Sequence, residues 1–252
     1  MSTINTIIYE DFTLENNGYG WTILSCNKNT RCALIPAYVN GLPVTKIADN
    51  AFENCTALER VIFNDLQGNS LFFDDFLEIG SYAFSGCTAL LEIDIPDHAS
   101  LVERGAFYGC EALERVSFSS RTYFSPYAFA KCISLKSVSP LKSISEGMFY
   151  QCKSLDKITL LSGCEEIDED AFEHCEALSE VIIPASVRRV HGLSFRSCYA
   201  LQSVIFEDTN TWYESSCYND SVTVIDVSNP YLNARVLRSM DFDDGIIYWY
   251  KE

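Results

Sequence analysis

The sequence predicts a right-handed α/β solenoid, leaning towards β, with a parallel sheet on one face and short helical turns on the other. Two observations support this prediction. An apolar motif recurs seven times, mostly at intervals of about 23 residues, and each copy ends in the alternating apolar pattern of a short strand. One repeat is too small to bury its own apolar side, so neighbouring repeats must stack to form a core.

The first half of each repeat carries the motif Ala-Phe-x-x-Cys-x-x-Leu, with Met148 and Ser194 at two of the alanine positions. Its phenylalanines are separated by 32, 23, 22, 20, 23 and 23 residues and are Phe52, Phe84, Phe107, Phe129, Phe149, Phe172 and Phe195. The spacing of three between Phe, Cys and Leu predicts a helical or 3₁₀ turn with one buried side.

The second half of each repeat predicts the strand. Val or Ile follows each leucine after three residues, and a further, usually apolar, residue follows two later, as in Val116 and Phe118. Period-2 alternation of this kind indicates a strand with one buried face. Pro96, Pro140 and Pro184 stand where strands end, because proline cannot continue a hydrogen-bonded ladder.

Both ends depart from the repeat and predict caps within a single domain, 1–252. Residues 1–30 form the N-terminal cap, with strand-like stretches at 6–14 and 21–24 around the turn signal Asn16-Asn17-Gly18. The repeats occupy 31–206, beginning with a partial rung. The C-terminal cap, 207–252, has strand character at Val222 and Val224, a helix start at Asn229-Pro230 and a short apolar finish at 246–250.

The repeated residues resemble the BspA-like, or Treponema-type, class of leucine-rich repeats. That class has the form Ile-x-x-x-Ala-Phe-x-x-Cys-x-x-Leu-x-x-Val-x-Ile-Pro, and the match covers roughly residues 34–206. The resemblance implies a leucine-rich-repeat solenoid that acts as a binding or adhesion surface. It implies no particular partner, since members of the class bind many.

The charge and hydropathy of the chain limit the classes of partner that we expect. Asp and Glu number 35 against 18 Lys and Arg, a net charge of −17, so nucleic acid and anionic lipid are disfavoured. No apolar stretch approaches 18 residues, which argues against membrane insertion. The first 20 residues lack a secretory signal. This predicts a cytoplasmic protein, with a cell-surface or secreted location left open if the natural chain begins earlier.

The eleven cysteines predict buried thiols more than disulfides or metal. Seven form the motif column Cys55, Cys87, Cys110, Cys132, Cys152, Cys175 and Cys198, where each acts as a small core residue. No Cys-x-x-Cys pattern indicates zinc, and Cys26 with Cys32 is the one pair placed to form a bridge in an exported protein. We expect no metal, no cofactor and no small-molecule substrate.

Catalysis is not expected either. His174 precedes Cys175, but neighbouring residues on a turn point about 100° apart, and Cys175 belongs to the buried column. The segment from Asp241 to Glu252 is similar to a calcium-binding loop, but its glycine comes one position too early. The acidic run 165–170 is typical of a solvated turn. The sequence therefore predicts no catalytic residues.

Outward strand positions form the candidate binding surface for a protein partner. The positions are Arg60, Ile62, Glu92, Asp94, Arg115, Ser117, Ser137, Lys157, Thr159, Glu180, Ile182, Ser203 and Ile205. Ile62, Ile182 and Ile205 have no obvious folding reason to be apolar, although β-branched residues also simply favour strands.

An insertion after the first full repeat, 64–77, carries Phe72, Phe73 and Phe76. These aromatic side chains either pack on the neighbouring rung or contact a partner. The favoured function is non-catalytic protein recognition or adhesion along a continuous sheet face. A self-assembling scaffold and an uncharacterised enzyme are the alternatives.

Overall fold

The computed structural model describes residues 5–64, 76–208, 210–216, 219–240 and 247–251. The strands of its first half are β1 Asn5–Tyr9, β2 Phe12–Asn16, β3 Trp21–Cys26, β4 Cys32–Ile35, β5 Tyr38–Val39, β6 Leu42–Ile47, β7 Arg60–Phe63, β8 Leu77–Ile79, β9 Glu92–Asp94, β10 Ala99–Val102, β11 Arg115–Ser117, β12 Tyr123–Phe124 and β13 Ser137–Val138. Those of its second half are β14 Glu166–Ile167, β15 Glu180–Ile183, β16 Arg189–His191, β17 Ser203–Phe206, β18 Trp212–Ser216, β19 Asn219–Ile225 and β20 Ile247–Tyr250. A 3₁₀ helix spans Gly192–Phe195 and helix α1 spans Pro230–Ser239.

The strands build a solenoid of about eight turns, which confirms the predicted fold class. The turns of the first half contribute to two sheets rather than one. Sheet 1 has the order β1-β2-β3-β6-β8-β10-β12, and sheet 2 has the order β13-β11-β9-β7-β4. Sheet 2 is the predicted one, with the expected register of Val116 opposite Ile93 and Val138.

Sheet 1 was not predicted as a sheet. Its strands end on the apolar residue four before each alanine, so that Ile47 lies opposite Ile79 and Val102 lies opposite Phe124. These strands are short, down to the two residues Tyr123 and Phe124. The buried side chains of the two sheets belong to one continuous apolar cluster, so both sheets border the same core.

The Ala-Phe-x-x-Cys-x-x-Leu segments link the two sheets as tight turns, as predicted. The Cys110 amide donates to the Phe107 carbonyl at 3.2 Å and the Leu113 amide donates to the Cys110 carbonyl at 3.1 Å, both i to i+3 bonds of 3₁₀ type. All seven column phenylalanines are fully buried. Their rings stack from repeat to repeat, with centroids 4.6–5.7 Å apart.

Neighbouring turns are joined by a ladder of backbone bonds, here called the turn ladder. Each column Phe amide up to Phe172 donates to the carbonyl at the alanine position of the next repeat, as Phe107 does to Ala128 at 2.8 Å. The residue two after each Phe donates in the same direction, as Lys131 does to Tyr150 at 2.7 Å. That residue has a positive φ in all seven repeats, between 56° at Asn54 and 70° at Gly86.

The column thiols complete this arrangement. Cys110 Sγ donates to the Phe84 carbonyl of the previous repeat at 3.2 Å, and the same carbonyl accepts the Cys87 amide at 3.2 Å. Equivalent thiol bonds of 3.0–3.3 Å are donated by Cys87, Cys132, Cys152, Cys175 and Cys198. A small side chain with one weak donor satisfies the second lone pair of a buried carbonyl, which accounts for cysteine in this column.

The N-terminal cap begins with a hairpin. The predicted strand 6–14 is in fact two strands, β1 and β2, because the chain reverses at Glu10, whose φ is 52°. They pair antiparallel, from Tyr9 opposite Phe12. Strand β3 then pairs parallel with β6, so the repeat stacking begins inside residues 1–30.

The C-terminal cap follows its predicted elements. Helix α1 begins after Asn229, whose side chain accepts from the Leu232 amide at 3.1 Å, with Pro230 at the first helical position. Strand β20 pairs antiparallel with both β16 and β18. The buried Trp212 and Trp249 cover the final rung together with Leu237.

The prediction of one continuous sheet along the array is wrong. Sheet 2 ends at β13, and its line resumes only as the separate pair β15–β17. The cause lies at Pro140, which has no amide hydrogen to donate. The Leu141 amide donates instead to the Thr159 carbonyl at 2.9 Å, so the local register shifts by one residue and 157–159 do not form a strand.

Candidate functional site

The outward side chains of sheet 2 and of the β15–β17 pair form the candidate surface, here called the open face. Strand β7 shows how alternation creates it, since Val61 is buried whereas Arg60 and Ile62 are exposed. The predicted positions Arg60, Asp94, Arg115, Ser137, Lys157, Thr159, Glu180 and Ile182 are exposed, whereas Glu92, Ser117 and Ser203 are partly exposed.

Ile205 corrects the prediction of an exposed apolar residue at the last repeat. It lies opposite Ile182 as expected, but it is partly buried. With Val224 and Pro230 it lines a depression of about 390 Å³ beneath the C-terminal cap. The cap carries no repeat, so the sequence period could not place its strands over this side chain.

The N-terminal end of the open face is apolar. Leu34 lies opposite Ile62 in the paired strands β4 and β7, and Leu91 stands beside them, with its amide donating to the Glu59 carbonyl at 3.2 Å. These aliphatic side chains are 41%, 44% and 51% exposed respectively. Leu34, Ile62 and Leu91 are here called the aliphatic patch.

Two members of the aliphatic patch are not evident from the repeat pattern. Leu34 belongs to an incomplete rung, and Leu91 follows the buried column residue Leu90 directly. The signal for Leu91 is a second leucine where the other repeats have Glu, Lys, Asp, Ser or Gln. A fourth cation beside Arg60, Arg115 and Lys157 is Lys136, which was also not predicted.

The centre of the open face is charged and internally paired. Arg115 Nη2 lies 2.8 Å from Glu92 Oε2, and Arg115 Nη1 lies 3.0 Å from Asp94 Oδ1. A hydrogen bond from Ser117 Oγ, with Arg115 as a further cause, lowers the pKa of Asp94. Each of these charges is solvated, so the network orients its side chains more than it stabilises the fold.

Arg60 differs from Arg115. Within the described part of the chain, Arg60 has no ion-pair partner, and the same holds for Lys157 in the interrupted region, whereas Lys136 Nζ lies 2.9 Å from Glu114 Oε2. Arg60 and Leu91 lie at one side of a depression of about 710 Å³. Its remaining lining residues are Glu92, Glu114, Arg115, Lys136 and Ser137.

The insertion contributes one described aromatic side chain. Phe76 is 56% exposed, so its ring is not buried against the neighbouring rung. Phe72 and Phe73 lie outside the described residues, and for them both interpretations stay predictions.

Cys175 and His174 have different surroundings in the described chain. Cys175 is fully buried and donates to the Phe149 carbonyl, whereas the adjacent His174 packs edge-on against Tyr150 with centroids 6.4 Å apart. Cys26 is buried and Cys32 is exposed, and both are free thiols. Among the described residues no group of three or more His, Cys, Asp or Glu is placed to hold a metal ion.

Helices of membrane-spanning length and hydropathy are likewise absent from the described ranges. The calcium-like segment after Asp241 falls largely outside these ranges. The acidic run 165–170 lies within the described residues. The carboxyl group of its last residue, Asp170, is half-buried against Glu173.

A family model decides the relationship of the chain to known proteins. Six copies of the BspA type leucine rich repeat region match residues 32–72, 45–142 and 126–240. The chain belongs to the BspA-type leucine-rich repeat family. Leucine-rich repeat proteins of this type are typically non-catalytic.

Several solved structures of bacterial leucine-rich repeat proteins are similar to this chain. A leucine rich cell surface protein of Faecalibacterium prausnitzii is 25% identical with a TM-score of 0.58, and the alignment covers 91% of this chain and 62% of that one. The chain thus spans less than two thirds of that protein.

Two further structures show the fold alone. The leucine-rich repeat protein of T. pallidum is 24% identical, with 80% and 83% covered and a TM-score of 0.50. The pneumococcal vaccine antigen PcpA is 19% identical, with 84% and 52% covered and a TM-score of 0.52. Among curated protein sequences, none matches the chain.

Proposed function

We propose that the protein is a non-catalytic recognition module that binds an extended segment of a protein partner across the N-terminal half of the open face. The segment places apolar side chains over the aliphatic patch and a carboxylate against Arg60. Three exposed aliphatic side chains beside a guanidinium with no ion-pair partner among the described residues support this proposal most directly.

Folding alone does not explain why the three exposed side chains of the aliphatic patch are apolar. Each of its three side chains leaves apolar surface in water at roughly 25 cal/mol per Å², although polar residues at outward strand positions would preserve the pairing. Patches of this kind, bordered by polar groups, are typical of protein-binding surfaces. The depression next to Leu91 offers room for a side chain of the partner.

The positive charge beside the aliphatic patch favours an acidic segment of the partner. Arg115 and Lys136 are already paired with Glu92 and Glu114. Of these three cations, only the Arg60 guanidinium has no carboxylate partner in the described ranges, and it can bind a bidentate carboxylate. The net charge of −17 opposes an acidic partner at long range. At physiological ionic strength this repulsion is screened within about 8 Å. The contacts at Arg60 therefore determine whether a carboxylate of the partner is favoured.

The setting of this recognition is argued from the relatives. A leucine rich cell surface protein of F. prausnitzii is similar over 91% of the chain, which supports a partner met at a cell surface. Adhesion is then the biological form that the proposed recognition takes.

A photo-cross-linking amino acid tests the proposal. It is introduced at Ile62, or as a control at Tyr123, which is also exposed but lies on sheet 1. Each protein is irradiated with host-surface and bacterial-surface extracts, and the cross-linked partner is identified. We expect a discrete partner from position 62 and none from position 123.

The purified partner is then titrated with variants. Ile62→Asp and Arg60→Glu should each weaken binding by about tenfold or more, equivalent to about 1.4 kcal/mol. Tyr123→Asp and Arg121→Glu are matched controls and should change affinity by less than about twofold. Equal losses in both sets would refute the open face as the binding surface. Cross-links only between copies of this chain would favour the self-assembling scaffold instead.

A further inference from the structure

The first strand of sheet 2, β4, has one edge without a neighbour in the described chain. Sheet 2 ends at β4, which pairs on its other side with β7. On that side the Ile35 carbonyl accepts from the Asn64 amide at 2.9 Å. Successive peptide groups of a strand point to opposite edges, so the amides and carbonyls of Cys32 and Leu34 point away from β7. None of these four groups has a hydrogen-bond partner among the described residues.

Two other ends of the solenoid sheets are covered. Sheet 1 continues past β3 into the hairpin of β1 and β2. At the far end of the array, strand β17 lies against helix α1, where Asn233 Nδ2 donates to the Val204 carbonyl at 3.1 Å. Native proteins cover their edge strands or blunt them with lysine or proline. Strand β4, with the sequence Cys-Ala-Leu-Ile, contains neither residue and has no cover within the described ranges.

The side chains at this edge belong to the open face. Cys32 and Leu34 are both exposed, and they lie opposite Arg60 and Ile62 respectively in the pairing of β4 with β7. The residues that direct their backbone groups outward are therefore the same ones that carry the aliphatic patch to the edge. A strand added at β4 would extend the open face and place its own side chains beside Leu34.

The shape of the N-terminal end favours a slender occupant. Strands β3 and β4 belong to the same turn, because they pair with β6 and β7 of the next turn. Beyond β3, sheet 1 adds two more strands, which at the usual strand spacing project about 10 Å. A second copy of the solenoid approaching the β4 edge would meet this hairpin, whereas a single extended segment fits beside it.

We propose that a short extended segment of a partner protein adds to the edge of β4 as a further strand of sheet 2. Its backbone pairs with the amides and carbonyls of Cys32 and Leu34. A carboxylate opposite Cys32 meets the Arg60 guanidinium across the small Cys32 side chain, and an apolar side chain two residues away packs on Leu34 and Ile62. The inference rests on the proposed function for the chemistry of these side chains, and it adds how the backbone of the segment is held.

This mode of binding sets a requirement for the segment. Main-chain hydrogen bonds supply affinity, and alternate side chains supply specificity. The segment must therefore carry free amides at every second residue, together with an acidic and an apolar residue separated by one position. Side chains at the intervening positions face away from the open face and are less constrained.

A symmetric peptide, acetyl-Thr-Glu-Val-Leu-Val-Glu-Thr-amide, tests the edge because it presents Glu-x-Leu in both chain directions. Its binding to the full chain is measured by calorimetry. Two isomers carry two backbone N-methyl groups each, one on both valines and the other on Leu and the second Glu. Only alternate amides of a paired strand face its neighbour. We expect one isomer to lose affinity by about tenfold or more and the other to stay within about threefold of the parent peptide.

A pair of protein variants tests the same edge from the other side. Leu34→Pro removes an outward amide but none of the bonds to β7, and proline is tolerated in edge strands where its missing donor would face solvent. Leu34→Ala is the matched control, since it shortens the side chain and keeps the amide. We expect a loss of about tenfold or more for proline and of about threefold for alanine. Thermal melts of both variants check that the fold persists.

The outcomes separate this inference from the proposed function. Equal effects of the two methylation patterns, or no saturable binding of the parent peptide up to about 1 mM, would overturn the added strand, while the titration of the native partner with Ile62→Asp still decides the open face. Isomers that differ while Ile62→Asp leaves the peptide affinity unchanged would support the added strand and refute the aliphatic patch. A dimer in light scattering that Leu34→Pro dissociates would make a second copy the occupant, and would overturn the inference.

Discussion

The ring of Tyr127 lies over the α-carbon of Gly147, one turn further along the solenoid. A β-carbon on Gly147 would stand 2.2 Å from Tyr127 Cε1. Both residues have left-handed backbones, with φ of 59° and 55°. Tyr82 and Gly105 repeat the arrangement at 2.5 Å. Glycine is needed at these positions for a close approach as well as for its conformation.

Gly147→Ala should therefore cost more than an alanine at another left-handed glycine. Gly109 is the matched control, since its φ is +69° and no atom lies within 4 Å of the position that a β-carbon would take there. Left-handed strain alone costs about 1–2 kcal/mol. We expect Gly147→Ala to exceed Gly109→Ala by at least about 1 kcal/mol in urea unfolding. Equal losses would mean that the Tyr127 ring moves aside freely.

Phe129→Ala should destabilise the centre of the array. The Phe129 ring is fully buried and stacks between Phe107 and Phe149 at 5.4 and 5.7 Å. Removing it should lower the free energy of unfolding by about 3–5 kcal/mol. Phe76→Ala, at an exposed ring, should change it by less than about 0.5 kcal/mol. A loss below about 1 kcal/mol at Phe129 would contradict the stacked core.

The six interior column thiols should resist alkylation in the native protein. Burial raises the pKa of Cys198 to about 12 and raises that of Cys152 still further, so both are neutral as well as inaccessible at pH 8. Iodoacetamide labelling followed by peptide mass spectrometry should mark the exposed Cys32 quickly. The interior peptides should be labelled only after denaturation. Native labelling of most of them would show that the column is open.

Stability should fall as the pH rises because of Asp170. Burial, with a hydrogen bond to Glu173, raises the pKa of Asp170 to about 7, above its ordinary value near 3.9. The folded protein therefore holds a proton that the unfolded chain releases between about pH 4 and 7, so the free energy of unfolding decreases across that window and is level above it.

Asp170→Asn should remove this component. Urea unfolding at pH 5 and pH 8 should show a decline that is smaller in the variant than in the native protein by about 1–2 kcal/mol, after allowance for partial exposure. Asp156→Asn, an exposed carboxylate, should leave the decline unchanged. An undiminished decline in Asp170→Asn would assign the pH dependence to other carboxyl groups whose pKa is raised in the folded protein, such as Glu78.

The sequence predicted the core of the array well because its period places one residue type at one position. Phe129 and Cys132 fill columns that are buried in every repeat. Sheet 1 escaped prediction because its strands, such as Leu77–Ile79, are too short for alternation to be recognised. Ile62 and Ile182 are exposed, as strand alternation predicts, whereas Ile205 is partly buried beside a cap that follows no period.

Pro140 shows a second limit. Its place at a strand end was evident in the sequence, but its effect on the neighbouring repeat depends on which amide replaces the missing donor. That amide belongs to Leu141. The resulting change of register cannot be predicted from the pattern of side chains. Interruptions of this kind depend on backbone geometry, which hydrophobic periodicity does not report.

The turn ladder continues where sheet 2 stops. The Phe129 amide still donates to the Met148 carbonyl at 3.0 Å, and the Phe149 amide donates to the Ala171 carbonyl at 2.8 Å, with their rings stacked throughout. Continuity between the two halves of the molecule therefore runs through the turns and not through the sheet of the open face. The open face is divided into two segments that lie over one unbroken turn ladder and one apolar core, so we expect the array to unfold as one unit.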